Sequence, residues 1–318
     1  MTSLASAARS APAGQASFAV TANPRQTHQF ETLGSWQPVR LLGRGRSTLV
    51  FQARPLAAPP HSPADYVVKT LHRDYAADPL AQAAIAREAL VARELNHAHL
   101  PALLDAHTNR APFFVVFPYQ PAVSARRLIQ VEQATTTAAV ERQPRLAIPR
   151  ALWIARQATT ALAALHAAGW LHGDVKPDNL LVTPQGHTTL IDLGFARRID
   201  SHECSSAEVL AGSCIYTPPE AILPQESLTT ASDVYSLGVT LFELLTGRAP
   251  METSDRATVV AWHLCGAAPD LRQHLPHAPL RLARLLRAML ARQPLRRPSV
   301  AELLAWLAEL EIETLAMR

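Results

Sequence analysis

The sequence predicts an α+β fold of two lobes: a small β-rich one carrying a single main helix, then a larger and mostly helical one. Strand-like apolar runs crowd positions 39–117, and long helical periodicities dominate beyond Pro118. Strands first and helices later favour segregated layers over an alternating parallel sheet. A hydrophobic content of 48% over 318 residues is enough for a sizeable core.

Residues 1–33 are rich in Ala, Ser, Thr and Gln without a clear period, and predict a disordered tail. The small lobe is expected over 34–117. Its strands are Val39–Leu42, Thr48–Arg54 and Tyr66–Leu71, with the Pro-rich stretch Pro55–Ala64 as a turn. A helix follows over Pro79–Leu95, then strands over Leu103–His107 and Phe113–Phe117. The large lobe, 118–318, begins with helices over Ala122–Val131 and Arg150–Ala168, the second closed by Gly169 as a C′ glycine. Residues 132–149 have the look of a polar insertion. A short strand is expected at Thr189–Ile191, and helices from Asp233 onward. The last, Ser299–Ile312, opens on a capping box of Ser299 and Glu302.

A net charge of +4 rests on scattered arginines rather than a basic block, which disfavours a nucleic-acid partner. Arg281, Arg284 and Arg287 recur at helical spacing among leucines, as the solvated face of an amphipathic helix does. Cys204, Cys214 and Cys265 are few and lack metal-ligand spacing, so a reducing compartment is expected. A redox switch between Cys204 and Cys214 is the competing reading. No apolar run reaches membrane-spanning length and no signal-peptide core is present, which predicts a cytoplasmic protein without a membrane partner.

Of 30 basic residues, 28 are arginine, and the two lysines are Lys69 and Lys176. Lysine is a compact point charge on a flexible stem, arginine a planar fork, so an arginine-biased chain keeps lysine where the fork will not serve. Lys69 ends the apolar run Tyr66-Val67-Val68. Lys176 lies in His172-Gly173-Asp174-Val175-Lys176-Pro177-Asp178-Asn179. Upstream, Gly43-Arg44-Gly45 sits between two strands with no helix opening after it. That disfavours a dinucleotide fingerprint and fits a hairpin whose backbone N–H groups cover phosphates.

In this order the motifs resemble the protein-kinase family over about residues 36–312, and specifically the bacterial, eukaryotic-like serine/threonine kinases with a two-lobed protein-kinase-like fold. The resemblance implies an ion pair between Lys69 and Glu88, with Lys69 reaching the α- and β-phosphates of ATP; Glu94 is the competing partner. It implies Asp174 as the base at the substrate hydroxyl, Lys176 at the transferred phosphoryl and Asn179 at a metal ion. Ile191-Asp192-Leu193-Gly194 is similar to D-F-G with leucine for phenylalanine, making Asp192 the second metal ligand. The metal the resemblance implies is Mg²⁺, with Mn²⁺ as an alternative. Gly43, Gly45, Val50, Val67, Phe117, Tyr119 and Leu181 would enclose the nucleotide, with Phe117 as gatekeeper and Pro118-Tyr119-Gln120 as a hinge that meets adenine through its backbone. Gly212–Glu220 resembles the end of an activation segment, where Ser213 would bond Asp174 and Lys176 and Glu220 would pair with Arg297. Asp233–Gly238 resembles the helix start whose aspartate anchors the catalytic loop.

Three positions depart from the pattern: Thr48 replaces a third glycine, Val67 replaces an alanine, and Gly173 replaces the H-R-D arginine. Without that arginine a phosphorylated activation segment loses its usual receiver. Constitutive activity, or control by other means, is expected, with Ser201, Ser205, Ser206 and Thr217 as weak switches. His97 and His99 are expected to be structural. The function implied is transfer of the γ-phosphoryl of ATP to a serine or threonine of a protein. The alternatives are a small-molecule kinase of the aminoglycoside-phosphotransferase type, which shares His172-Gly173-Asp174, and a nucleotide-binding scaffold. Lys176-Pro177, Pro219-Glu220 and Arg297-Pro298 favour the first, and the presence of Lys69, Asp174, Asn179 and Asp192 disfavours the last.

Overall fold

A computed structural model describes residues 31–135, 145–199, 214–223, 227–251, 253 and 255–315. The expected tail lies outside these as far as residue 30. Leu33 exchanges backbone hydrogen bonds of 2.9 and 3.0 Å with Trp36.

Five antiparallel strands form the first sheet, in the order β1-β2-β3-β5-β4: β1 (Trp36–Arg44), β2 (Thr48–Pro55), β3 (Tyr66–Leu71), β4 (Asp105–His107) and β5 (Phe114–Pro118). The two-residue period of a strand splits β5 between two surfaces. Phe114 and Val116 pack with Ala53 and Val68 on one face, while Val115 and Phe117 face the main core with Ile85 and Ala89 of α1 (Pro79–Glu94). Helix α1 starts where the local chemistry dictates: the Asp78 carboxylate accepts from Leu80 N at 3.0 Å and Pro79 fills the first turn. β1 is longer than its apolar run implies. Pairing with β2 carries it through two irregularities, at Pro38/Arg40 and Leu41/Gly43, to the glycine turn.

The large lobe opens with β6 (Val123–Ser124) and α2 (Ala125–Thr135) rather than one uninterrupted helix. The buried Ser124 explains the change, since its hydroxyl accepts from Arg127 N at 3.2 Å and caps α2. Helix α3 (Ile148–Ala167) starts earlier than expected because Pro149 is accommodated in its first turn. The expected insertion is therefore helical over 132–135 and again from Ile148, residues 145–147 belong to no helix, and its middle, 136–144, lies outside the described residues. Gly169 does terminate α3, at φ +80°. Strand β7 (Trp170–Leu171) follows. β8 (Leu180–Val182) and β9 (Thr188–Leu190) join β6 in a three-stranded sheet, and β10 (Arg197–Arg198) pairs with β7.

The remaining helices are α4 (Pro219–Ile222), α5 (Thr230–Thr246), α6 (Arg256–Cys265), α7 (Leu271–His274), α8 (Leu280–Met289) and α9 (Val300–Leu315). α5 is buried along nearly its whole length and packs on α3 and α8, making it the spine of this lobe. In α8, Leu282, Leu285, Leu286 and Met289 are buried while Arg281, Arg284 and Arg287 stay in solvent, and Arg281 pairs with Glu309 of α9. The Ser299–Glu302 capping box is complete: Ser299 N donates to Glu302 Oε2 at 2.8 Å, and Glu302 N to Ser299 Oγ at 3.3 Å. Among the described residues no helix is long and apolar enough to cross a membrane.

Candidate active site

The sheet register sets Lys69 opposite Val50 on one side and Val115 on the other. Its side chain emerges between the lobes. There Nζ lies 2.7 Å from Glu88 Oε2 of α1 and 2.8 Å from Asp192 Oδ1, just past β9. The expected pair with Glu88 is present, and Asp192 is a second partner. Glu94 is elsewhere, accepting from Trp170 Nε1 at 2.8 Å. Burial works against the Lys69 ammonium, but Asp192 and Glu88 outweigh it and raise its pKa. Burial pushes Glu88 up. Asp192 is held down to about 2 by the same ammonium in spite of its burial, and is the more firmly ionised partner.

Asp174 is the focus of the other half of the site. Lys176 Nζ donates to Asp174 Oδ2 at 2.6 Å, and Asn179 Nδ2 donates to the same oxygen at 2.9 Å and to Asp174 O at 2.8 Å. Burial raises the Asp174 pKa against the pull of Lys176. With its nitrogen committed to Asp174, Asn179 has the amide oxygen for a cation. The Asp192 carboxylate and this amide oxygen are hard donors of the kind that could hold a divalent cation. Among the described residues no cluster of three or more His, Cys, Asp or Glu forms a metal cage.

The backbone beneath is fixed from α5. Asp233 accepts from His172 N at 2.9 Å and Gly173 N at 3.0 Å, as expected, and also meets His166 Nε2 at 2.8 Å. That last bond keeps the Asp233 pKa low despite burial. Asp192 has φ +69°, a strained conformation for a non-glycine residue. Gly173 has φ +77°, and a Cβ there would lie 2.7 Å from the Phe195 carbonyl oxygen. The residue in the H-R-D arginine position is thus fitted to its neighbours as a glycine.

Around the cleft, Gly43 lies opposite Val50, and Gly45 N donates to Thr48 O at 2.8 Å. A Cβ on Gly45 would lie 2.6 Å from Thr48 Oγ1, so a larger residue there would have to turn the Thr48 hydroxyl aside. Phe117 is buried and paired with Val67. Leu181 pairs with Ser124 and Thr189 in the β6-β8-β9 sheet. Of the hinge, Pro118 has no N–H and Tyr119 N is taken by Asp65 O at 2.8 Å, which leaves Gln120 N as the donor. Glu220 and Arg297 form the expected pair in bidentate form, at 2.6 and 2.8 Å, both side chains fully buried. Ser201, Ser205, Ser206, Ser213 and Cys204 lie outside the described residues. His99 Nδ1 meets Thr188 O at 2.8 Å and stacks on His187, tying the loop after α1 to β9.

Several residues of the site's surroundings carry no signal in the sequence. Arg87 Nη1 donates to Gly194 O at 2.8 Å. Arg126 reaches Asp178, Glu243 and Tyr216. His263, lowered by burial to about 4 and so neutral, sits between Tyr235 OH at 2.8 Å and Cys214 O at 2.9 Å. Each contact joins segments far apart in the chain, so no local spacing reveals it.

A family model described as the protein kinase domain matches residues 36–306. The chain is 28% identical over 269 residues to the serine/threonine-protein kinase PrkC of Bacillus subtilis, covering 85% of this chain and 39% of that protein. It is 32% identical over 285 residues to the probable serine/threonine-protein kinase PkwA of Thermomonospora curvata, covering 90% and 35%. It is 30% identical over 275 residues to the serine/threonine-protein kinase PknD of Mycobacterium tuberculosis, covering 86% and 39%. The chain therefore spans well under half the length of these relatives. A crystal structure of the Mycobacterium tuberculosis PknI kinase domain, a double mutant, superposes with a TM-score of 0.65 over 88% of this chain and 97% of that one; at 24% identity the likeness is one of fold.

Proposed function

Because this chain belongs to the protein kinase domain family, we propose that it transfers the γ-phosphoryl of ATP to a serine or threonine hydroxyl of a protein. The observation that carries this reading is the Asp174 carboxylate, held by Lys176 Nζ at 2.6 Å and Asn179 Nδ2 at 2.9 Å, with Lys69 bound to Asp192 at 2.8 Å. The cleft residues Gly43, Gly45, Val50, Val67, Phe117, Tyr119 and Leu181 would enclose ATP, with Gln120 N donating to adenine. Lys69, oriented by Glu88, would bind the α- and β-phosphates. Asp192 and Asn179 would hold Mg²⁺, or Mn²⁺ in its place, which when bound offsets charge on the phosphate oxygens.

The substrate hydroxyl would place its proton towards Asp174 as its oxygen bonds the γ-phosphorus. The bond from γ-phosphorus to the bridging oxygen breaks, the electron pair leaves with ADP, and the proton passes to Asp174. Lys176 supports the transferred group from the side of the base. The buried Glu220–Arg297 pair supports a protein rather than a small-molecule acceptor, because it braces the segment from Cys214 to Ile222 that borders the Asp174 loop. Cytoplasmic residence fits the exposed thiol of Cys265.

The test is transfer of label from γ-labelled ATP and Mg²⁺ to a generic serine-rich protein, with Asp174→Ala alongside. Label on the protein acceptor that falls by about 10³-fold or more in the variant is expected, a typical size for losing a base that also positions its substrate. Nucleotide binding without transfer would point to the scaffold instead, and label on amino-sugars alone to the small-molecule kinase.

A further inference from the structure

Glu94, the rival partner for Lys69, ends α1 against the large lobe, where its Oε2 accepts from Trp170 Nε1 at 2.8 Å. The Arg198 guanidinium lies 4.9 Å over the Trp170 ring, and its Nη1 is 3.9 Å from Glu94 Oε2. A carboxylate in the last turn of a helix opposes the helix dipole, so Glu94 does not serve α1 by its charge. The ion pair is a weak reason for it as well, because two side chains 56% and 43% exposed at that distance contribute little. The stronger bond is the one from the indole N–H, since Trp170 is buried and a hydrogen bond to a charged acceptor is of the stronger kind.

Trp170 and Arg198 face each other across the strand pair β7–β10. β7 leads directly into His172–Asp174, and β10 follows the turn from Asp192 to Phe195. The end of α1 is thus fastened to both segments that carry the site. Burial at position 170 asks only for an apolar side chain, but the indole adds a donor that reaches α1. A second attachment lies two turns earlier, where Arg87 Nη1 donates to Gly194 O at 2.8 Å. The two attachments are about 10 Å apart along the helix axis, with Glu88 between them. One attachment lets a helix pivot, and two fix its direction. The last turn of α1 has no left-handed C′ residue to close it, since the chain leaves in extended form at Leu95.

We propose that Trp170, acting through Glu94, is a positioning residue for phosphotransfer: its N–H fixes the C-terminal end of α1 to the large lobe and so holds Glu88, and through it Lys69, in register with Asp192. The inference rests on the protein-kinase reading above.

Three variants test it. Trp170→Phe keeps an aromatic ring under Arg198 but has no N–H. Glu94→Ala removes the acceptor at an exposed position and does not depend on how well the core tolerates phenylalanine. Glu94→Gln keeps an acceptor oxygen for the indole. Trp170→Phe and Glu94→Ala should each lower kcat by about tenfold or more, the scale of a misplaced catalytic group, with the KM of the peptide acceptor within about twofold of the parent. The double variant should be no slower than the slower single one, because both remove the same bond. Glu94→Gln should stay within about threefold of the parent. Hydrogen exchange in the absence of nucleotide supplies a readout independent of activity: the amides of Ala89–Glu94 should exchange about tenfold faster in Trp170→Phe and Glu94→Ala than in the parent and Glu94→Gln. A kcat within about twofold of the parent in both of the disruptive variants would overturn the proposal, leaving a purely structural contact, and so would a loss in Glu94→Gln equal to that in Glu94→Ala. If the parent labels no acceptor while the contrast in exchange persists, the phosphotransfer reading fails and the tie of α1 to Trp170 stands.

Discussion

At the scale of single residues, the two lysines have different surroundings for one shared reason. Lys69 Nζ must satisfy Glu88 Oε2 at 2.7 Å and Asp192 Oδ1 at 2.8 Å, in a site where its side chain is only 13% exposed. Lys176 Nζ approaches a single Asp174 oxygen at 2.6 Å beside Asn179. A point charge can turn its three donors towards partners on different sides, whereas a planar fork presents its donors in one plane and is bulkier. Lys69→Arg and Lys176→Arg keep the charge, yet each is expected to lower kcat by about 10²-fold or more, as misplacement of a positioned group by about 1 Å does. Steady-state kinetics on one peptide with saturating ATP checks this, and a variant retaining half of the parental kcat would count against it. Gly173 shows the opposite case at this scale. Its φ of +77° and the Phe195 carbonyl 2.7 Å from a notional Cβ make it a fitted residue of the loop, and not simply the loss of an arginine.

At the scale of elements, the tie between α4 and the turn before α9 is the most demanding. Arg297 donates to Glu220 through both terminal nitrogens, to the carbonyls of Ala231, Ala291 and Arg292, and lies 4.8 Å over the Tyr235 ring. Arg297→Ala leaves the fully buried Glu220 carboxylate without its cation, with only the Ser232 hydroxyl donating to it at 2.7 Å, and is expected to cost about 3–5 kcal/mol. Urea denaturation measures the loss, and a cost below about 1 kcal/mol would show that the pair is not structural. Glu220→Gln in the Arg297→Ala background should recover part of the loss by removing the stranded charge. Elements whose cause is local were legible in the sequence. α1 was visible as the helical run Pro79–Leu95, the end of α3 from Gly169, and the start of α9 from Ser299 and Glu302. Elements whose cause is tertiary were not. β1 extends to Trp36 only because β2 is there to pair with it, and β6 exists because β8 offers Leu181 and Val182 as partners. The same division holds in the site. Lys69, Asp174, Asn179 and Asp192 sit in compact motifs, while Arg126 is one arginine among 28 until folding brings Asp178, Tyr216 and Glu243 to it.

At the scale of the whole molecule, the lobes are joined where Lys69 of the first sheet meets Asp192 of the large lobe, 123 residues away in the chain. Arg87 adds a bond from α1 to Gly194 O, and the close approach of Ala84 O to Gly194 presses the helix onto the same turn. The charges that hold the lobes together therefore titrate with folding. Asp192 is depressed in the folded protein, from 3.8 to about 2, by Lys69. A depressed carboxylate contributes stability that is present above its unfolded pKa and is lost as pH falls through the folded one. The window is thus pH 3.8 down to about 2. Lys69 is raised, so its contribution is fully present below 10.5 and is lost only as pH climbs beyond that. Between these limits neither Asp192 nor Lys69 changes its charge, and Glu88, raised by burial, is the member of the cluster left to titrate. Below them, the unfolding free energy of the unmutated protein should fall with a slope that includes the proton taken up by Asp192. In Asp192→Asn that slope should be shallower by about one proton per molecule, since the group that titrates has been removed while the chain is otherwise intact. Guanidinium denaturation at closely spaced pH values, without nucleotide or metal, measures both slopes. Equal slopes for the two proteins would mean that Asp192 titrates normally in the folded state and that the Lys69 contact does not link the lobes in solution.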